Sequence, residues 1–337
     1  MKTFPTAPAP HIPAGNRVRR VMGDVLLALL PGAMLHLYFF GFGLVFQLAL
    51  AVAAGLLVEA SVRCWRGAAA SGGIADVSTV VTAALFAMSI TPLAPWWVAV
   101  TGMFVALGLG KYAYGGLGAN LLNPAMAGCA FALMAFPREL AHWPGGFVGL
   151  GDAARAVFAA APAAGWDTLA SATPLDATKQ LVAQGLRLPE LHANALYQRS
   201  GAAAWAWIAL ALALGGVYLL WRRVIGWHAP AGVILTTIAL TLPVWLLDTE
   251  RHPSPLAHLT AGGLMLAAWF IATDPVSGCT SPRGRFVFGC GVAALTLAIR
   301  RWGHLPDGVA FVVLFMNQIA PLIDLNTRPR IYGHGRG

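Results

Sequence analysis

The sequence predicts an all-α polytopic membrane protein of about ten transmembrane helices. Three observations carry that prediction. First, the 337 residues are 58% hydrophobic and only 10% charged, against roughly 25% charged in an average soluble domain. Second, ten apolar segments recur, at 22–40, 42–62, 77–93, 95–112, 122–137, 201–221, 228–247, 257–273, 285–299 and 308–323. Third, the cationic residues collect in alternate connections between those segments, as they do in membrane proteins. A chain this apolar cannot cover a soluble surface. That excludes a disordered protein and an ordinary cytosolic enzyme.

The elements follow in order. Residues 1–21 are a polar, Pro-rich segment; the apolar run after it is long enough to span, so it is not a cleavable signal peptide. Residues 22–137 hold the first five spans, the first half of the bundle. The third to fifth spans, and later the eighth, are broken by Gly, Pro or Asn. Several segments fall short of the ~20 residues of a straight crossing. Breaks at that depth are tolerated where the backbone lines a protein-enclosed site. Residues 138–200 form the one long segment that does not span. Residues 201–323 hold the second five spans, and 324–337 the C-terminal tail.

Charge sets the orientation. With the N-terminus inside, the inner segments hold Lys2, Arg17, Arg19, Arg20, Arg63, Arg66, Lys111, Arg222, Arg223, Arg283, Arg285, Arg328, Arg330 and Arg336, fourteen in all. The short outer loops hold three, Arg251, Arg300 and Arg301. The long segment 138–200 is left out, because long loops translocate largely regardless of charge. Both termini are therefore expected in the cytoplasm and 138–200 outside. Trp96 and Trp97 then lie near the outer interface, where amphipathic rings settle. Five spans per half would point the halves in opposite directions, the layout of an inverted repeat. A Gly-Gly-Leu recurrence at 115–117 and 262–264, each followed by a polar-Pro pair (Asn123-Pro124, Asp274-Pro275), is its thin sequence support.

The net charge of +9 is read as topological. There is no basic stripe with interleaved aromatics, so no nucleic-acid partner is expected. Cys64, Cys129, Cys279 and Cys290 form no Cys-x-x-Cys pair, which gives no zinc or cluster pattern and no disulfide framework.

Three stretches could carry chemistry. The centre of 138–200 reads Asp167-Thr168-Leu169-Ala170-Ser171-Ala172-Thr173-Pro174-Leu175-Asp176. Small residues surround one hydroxyl, with a carboxylate six positions upstream. The plain reading makes Thr173 a helix N-cap. The functional reading is a hydroxyl presented without bulk to a modifying enzyme, since Thr is a weak nucleophile unaided. The second stretch, Lys111 to Gly128, is Gly-rich. Gly115, Gly116 and Gly118 allow turns and close approach, and Asn120 and Asn123 supply amides. A simple break between helices competes with a ligand site. The third feature is the set of acidic groups near the bilayer, chiefly Asp24, Glu59 and Asp274. Such groups need a partner or a function, and a cap or ion pair competes with an ion path. Asp76 and Asp324 belong to the same set.

With these stretches in view, the chain resembles the NqrB/RnfD family of membrane electron-transfer subunits. The match runs through Lys111 to Pro124, Ala170 to Leu175, Ile271-Ala272-Thr273-Asp274-Pro275-Val276, Pro306 to Phe311, Pro321 to Asp324 and Thr327 to Arg330. The length suits the Rnf (ferredoxin:NAD⁺ oxidoreductase) branch better than NqrB of the sodium-pumping NADH:quinone reductase, which has a longer N-terminal region.

The resemblance implies FMN esterified through its phosphate to Thr173 by a dedicated flavin transferase. Asp167 opens the motif. Ala170 stands where Ser is usual and Ser171 where Gly is usual; both are small, as is Ala172. The resemblance also implies a second, non-covalent flavin such as riboflavin in the bundle. Composition offers Gly115, Gly116, Gly118, Asn120 and Asn123 as flavin contacts. Implied partners are other Rnf subunits, a second covalent-flavin subunit and iron–sulfur subunits among them, in a complex that moves Na⁺ or H⁺. Asp24, Glu59 and Asp274 are the ion-path candidates. The implied place is the bacterial inner membrane, with the flavin segment periplasmic. Two alternatives remain at this point, an NqrB-like quinone-reductase subunit and a urea-channel-like transporter.

Overall fold

A computed structural model describes residues 18–67, 77–116, 118–161, 165–303, 305 and 307–327. Most of the N-terminal segment, most of the C-terminal tail, Asp76, Leu117 and Pro306 lie outside the described residues.

The described residues are mostly helical. The first half runs α1 (Val18–Phe40), α2 (Gly43–Trp65), α3 (Val77–Ser89), α4 (Trp96–Leu107) with a π-turn over Gly108–Tyr112, and α5 (Pro124–Ala135). The middle segment carries α6 (Pro137–Leu140), β1 (Trp143–Pro144), α7 (Leu150–Ala159), α8 (Trp166–Leu169), β2 (Ala170–Ser171), α9 (Pro174–Ala183), α10 (Leu188–Ala193) and α11 (Ala195–Arg199). The second half runs α12 (Ala202–Trp221), α13 (His228–Leu247), α14 (Pro255–Thr260), α15 (Leu264–Leu266) with a π-turn over Ala267–Ile271, α16 (Pro282–Trp302) and α17 (Val309–Thr327). The two-residue strands pair antiparallel, Trp143 with Ser171 and Pro144 with Ala170. They pin the middle segment without changing the all-α class.

Among the described residues, five helical stretches are long and apolar enough to cross a membrane: Val18–Phe40, Gly43–Trp65, Ala195–Trp221, His228–Leu247 and Val309–Thr327. The spans expected to be broken are the short ones. α3 has 13 residues and α5 has 12; at 1.5 Å per residue neither covers ~30 Å of hydrocarbon alone. α4 is lengthened by its π-turn, and the eighth segment is split into α14 and α15 at Ala261–Gly263. The structure thus supports the all-α polytopic class, with five full-length apolar helices among the described residues and shorter apolar ones beside them.

The helices meet through small residues, as membrane helices do when no solvent drives their association. A Cβ on Gly215 of α12 would fall 2.0 Å from the Ala28 carbonyl oxygen of α1. α13 and α16 interlock reciprocally, Gly232 under the Phe286 carbonyl and Gly289 under that of Ala229. Leucines, valines and aromatics that would be costly in water line the outside of the long helices, among them Leu27, Leu57, Leu214 and Leu235.

The middle segment caps one end of the bundle. Phe42 N–H donates to the Val148 carbonyl (3.1 Å) and Val148 N–H to that of Phe40 (3.3 Å). Leu188 N–H reaches the Glu250 carbonyl at 2.7 Å. Lys179 Nζ donates to the carbonyls of Gly303 and Leu305. The turns at 40–42, at Glu250 and at Gly303 therefore share one end with 138–200. The turns near Arg66, Arg222, Arg223 and Arg285 lie at the other. Asn123-Pro124 and the loop of Asp274-Pro275 meet inside the bundle, where the buried Asn317 side chain, near the middle of α17, bonds Asn123 N–H (3.0 Å) and the Ser277 carbonyl (2.9 Å).

Candidate functional site

Thr173 sits at the start of α9, half-buried, with extended backbone (φ −67°, ψ 161°). Its hydroxyl oxygen accepts the Asp176 backbone N–H at 3.2 Å. Pro174 follows at the first helical position, where its missing N–H is no loss. This is the N-cap that the Thr-x-x-Asp spacing implies. The hydroxyl proton is also engaged, donated to Asp176 Oδ2 at 2.7 Å. The Thr173 oxygen thus uses one lone pair and its proton on Asp176, and keeps a second lone pair.

The stretch before it is held open. Ala170 and Ser171 lie in β2 against Trp143–Gly145, and Gly145 N–H donates to the Leu169 carbonyl at 2.9 Å. A Cβ on Gly145 would come within 3.1 Å of Ser171 Cβ, so two small residues face each other there. Ala172 adds only a methyl. Asp167 is exposed in α8, and its backbone carbonyl accepts from Arg199 at 3.2 Å. The structure does not bring the Asp167 side chain into hydrogen bonding with Thr173.

Burial pushes the Asp176 carboxyl above the usual carboxylate range. The Thr173 hydroxyl and amide and the charge of Lys179 oppose that rise, while Asp307 adds to it. Asp307 lies in the turn before α17 and takes Gly263 N–H at 2.6 Å and Arg300 Nη2 at 3.4 Å. Arg300 is buried and donates to the carbonyls of His258 (2.6 Å) and Ala261 (3.0 Å). α9 is therefore seated on a charged ledge built by the second half of the bundle. The sequence reading missed Asp176 as a member of this site, although the capping spacing was the signal for it.

At the opposite end, Gly115, Gly116 and Gly118 all have positive φ, at 115°, 117° and 91°. The space around Gly116 and Gly118 is open, so backbone conformation, not crowding, calls for glycine there. Asn120 Nδ2 donates to the Leu122 carbonyl at 3.1 Å, and Asn123 caps α5 through Met126 N–H at 3.2 Å. The plain reading of this stretch as a break between helices is satisfied by these bonds. The surrounding open space leaves room for a ligand on the glycine side.

The three acidic candidates occupy three different interfaces. Asp24 on α1 accepts from Tyr218 (3.1 Å) and pairs with Arg222 (3.4 Å) on and after α12. Glu59 on α2 is buried, pairs with Arg63, and accepts from Thr79 Oγ1 at 2.7 Å. Thr79 in turn accepts from the buried Lys111 Nζ at 3.3 Å. Asp274 accepts from Ser277 Oγ (2.6 Å) and Val276 N–H (3.2 Å). The four cysteines are free thiols.

The comparisons with known proteins cover nearly the whole chain. The profile of the NQR2, RnfD, RnfE family matches residues 5–333. The chain is 44% identical over 335 residues to a Pseudomonas aeruginosa (strain UCBPP-PA14) protein named as a subunit of an ion-translocating oxidoreductase complex, covering 98% of this chain and 96% of that one. The Shewanella denitrificans protein of the same name is 42% identical over 344 residues, 98% of both chains. The Escherichia coli O9:H4 protein of that name is 39% identical over 350 residues, 99% of both. With agreement of this extent, the chain belongs to the NQR2/RnfD/RnfE family.

Proposed function

We propose that this chain is a membrane electron-transfer subunit of an ion-translocating oxidoreductase complex and carries FMN covalently on Thr173. The relatives are named as subunits of such a complex. The observation that carries the flavin reading is the Thr173 hydroxyl itself. It stands at the tip of a helix, behind three small residues, in the segment that caps one end of the bundle.

The residues present suit a phosphodiester there. Ala170, Ser171 and Ala172 leave an approach to the oxygen, and β1–β2 pairing and the Pro174 start hold it in place. A bound flavin would supply one- and two-electron transfer. The protein fixes its position: Lys179 seats α9 on the Leu305 carbonyl, and Leu175 packs toward Gly262. The bias of cationic residues toward the other end supports an outer, periplasmic position for this cap on a bacterial inner membrane. The Gly115–Asn123 turn, on the other side, is the proposed place of a second, non-covalent flavin such as riboflavin. Asp24, Glu59 and Asp274 are the proposed points of an ion path for Na⁺ or H⁺, and all three lie near that same inner end. The complex would link ferredoxin and NAD through its other flavin and iron–sulfur subunits, after maturation by a flavin transferase.

The test is fluorescence of the denatured chain in a gel. Produced with a flavin transferase, the wild-type chain should give a fluorescent band at its 35.3 kDa mass, and Thr173→Ala should give none. A dark wild-type band, or a bright Thr173→Ala band, refutes the assignment.

A further inference from the structure

We infer that the Asp176 carboxylate is the base that takes the Thr173 hydroxyl proton when a flavin phosphate is transferred to that oxygen. The inference rests on the flavin-bearing reading above. An unaided Thr hydroxyl is a poor nucleophile and needs an adjacent base. A base must lie within about 2.6–3.2 Å, heavy atom to heavy atom, of the group whose proton it removes. Asp176 Oδ2 is 2.7 Å from Thr173 Oγ1, and the hydroxyl is the donor. The backbone N–H of Asp176 occupies one lone pair of the same oxygen, at 3.2 Å. The remaining lone pair is the one available for attack. The chain thus brings its own base to a reaction in which it is the substrate.

The step balances with a flavin dinucleotide as co-reactant. Thr173 Oγ forms a bond to the phosphorus on the flavin side of the pyrophosphate. The bridging P–O bond breaks, and its electron pair leaves with the nucleoside monophosphate. The proton passes to Asp176 and from there to water. No oxidation or reduction occurs.

The surroundings tune this base. Lys179, one turn along α9, favours its charged form. Asp307, from the turn before α17, and burial oppose it, so the carboxyl binds a proton more readily than an exposed aspartate. Arg300 of α16 pairs with Asp307 and moderates that opposition. A capping role alone would not require a carboxylate, because the amide of Asn can accept the same N–H and O–H groups.

The experiment measures initial rates of flavin attachment by intact mass, using the purified full-length chain, a flavin transferase and FAD, across pH. Asp176→Asn keeps size and capping acceptors but cannot take the proton. It should attach flavin roughly 100-fold more slowly near pH 7. Its rate should climb steadily with hydroxide, without the wild-type limb set by a carboxylate. Asp176→Glu, which retains a base, should fall between the two. Elution of both variants should match the wild type, and neither should melt below it. Asp176→Asn transfer at the wild-type rate, or slowed transfer with the wild-type pH profile, overturns the inference while leaving Thr173 as acceptor. An unlabelled wild-type chain, or a labelled Thr173→Ala chain, instead overturns the flavin-bearing reading and this inference with it.

Discussion

Gly215→Ala should separate α1 from α12, and its cost can be worked from the contact. The new Cβ would fall 2.0 Å from the Ala28 carbonyl oxygen and 2.9 Å from its carbon. Ordinary contact begins near 3.4 Å, so the overlap with the oxygen is about 1.4 Å. The atoms it meets are main chain and cannot turn aside as a side chain could. The helices must therefore part along an interface that also holds Gly32 of α1 against Leu212 of α12. Overpacking of a tight core costs about 1–3 kcal/mol. For a large domain each kcal/mol lowers Tm by about 2–4 °C, which gives a drop of roughly 2–12 °C. The control is Gly23→Ala on the same α1, where nothing lies within 4 Å of the added carbon. There the substitution should stabilise by about 0.5–1 kcal/mol, because alanine loses less freedom in a helix. Both are measured by thermal melting of the purified protein in one detergent. If Gly215→Ala melts with the wild type, or Gly23→Ala falls as far as Gly215→Ala, the close approach of α1 and α12 is wrong.

The remaining predictions concern the two ends. Asp324→Ala removes the acceptor for Thr280 N–H (2.9 Å) and Ser281 N–H (3.3 Å) at the start of α16; at about 1–3 kcal/mol for each donor left unmet, it should melt clearly below the wild type in the same assay. Thr173→Ser keeps both hydroxyl and cap, so it should retain flavin fluorescence, and a dark Ser variant would show that the methyl matters to recognition. The Asp176 carboxyl has a folded-state pKa raised above its ordinary value of 3.8, so the folded chain holds the proton more tightly than the unfolded one. Its contribution to stability therefore falls as pH rises from about 3.8 to the higher folded value. Asp176→Asn should gain on the wild type across that window in melting scans, and a constant difference would refute the raised pKa. A cysteine at the exposed Gln184, in a Cys64→Ser background, should react with an impermeant maleimide added to whole cells stripped of the outer membrane. Reaction only after the membrane is opened would reverse the orientation.

Much of the fold was legible because burial in lipid writes itself as long apolar runs. The long helices and their charged ends follow from composition alone. The cap of α5 was foreshadowed by Asn123-Pro124, and that of α9 by Thr173-Pro174-Leu175-Asp176, since capping depends on neighbours three residues apart. What was hidden depends on distant partners. No local pattern announces that Lys111 is buried against Ser78 and Thr79, or that Lys179 reaches across to Gly303. The π-turns at Gly108–Tyr112 and Ala267–Ile271 are equally silent, because one added residue per turn leaves the apolar pattern nearly unchanged. At the candidate site, the Thr173 hydroxyl was legible as a helix cap, while its bond to the Asp176 carboxylate one helical turn downstream depends on how the start of α9 folds.

The single amide of Asn317 has a mechanical meaning. It spends its oxygen on the backbone before α5 and its nitrogen on the carbonyl of Ser277, next to the loop of Asp274. Drawing either loop aside strands a polar atom in an apolar interior, which is expensive. The two interruptions in the bundle, one in each half of the chain, are consequently yoked: whatever binds or titrates at one must be answered at the other, or the yoke has to break.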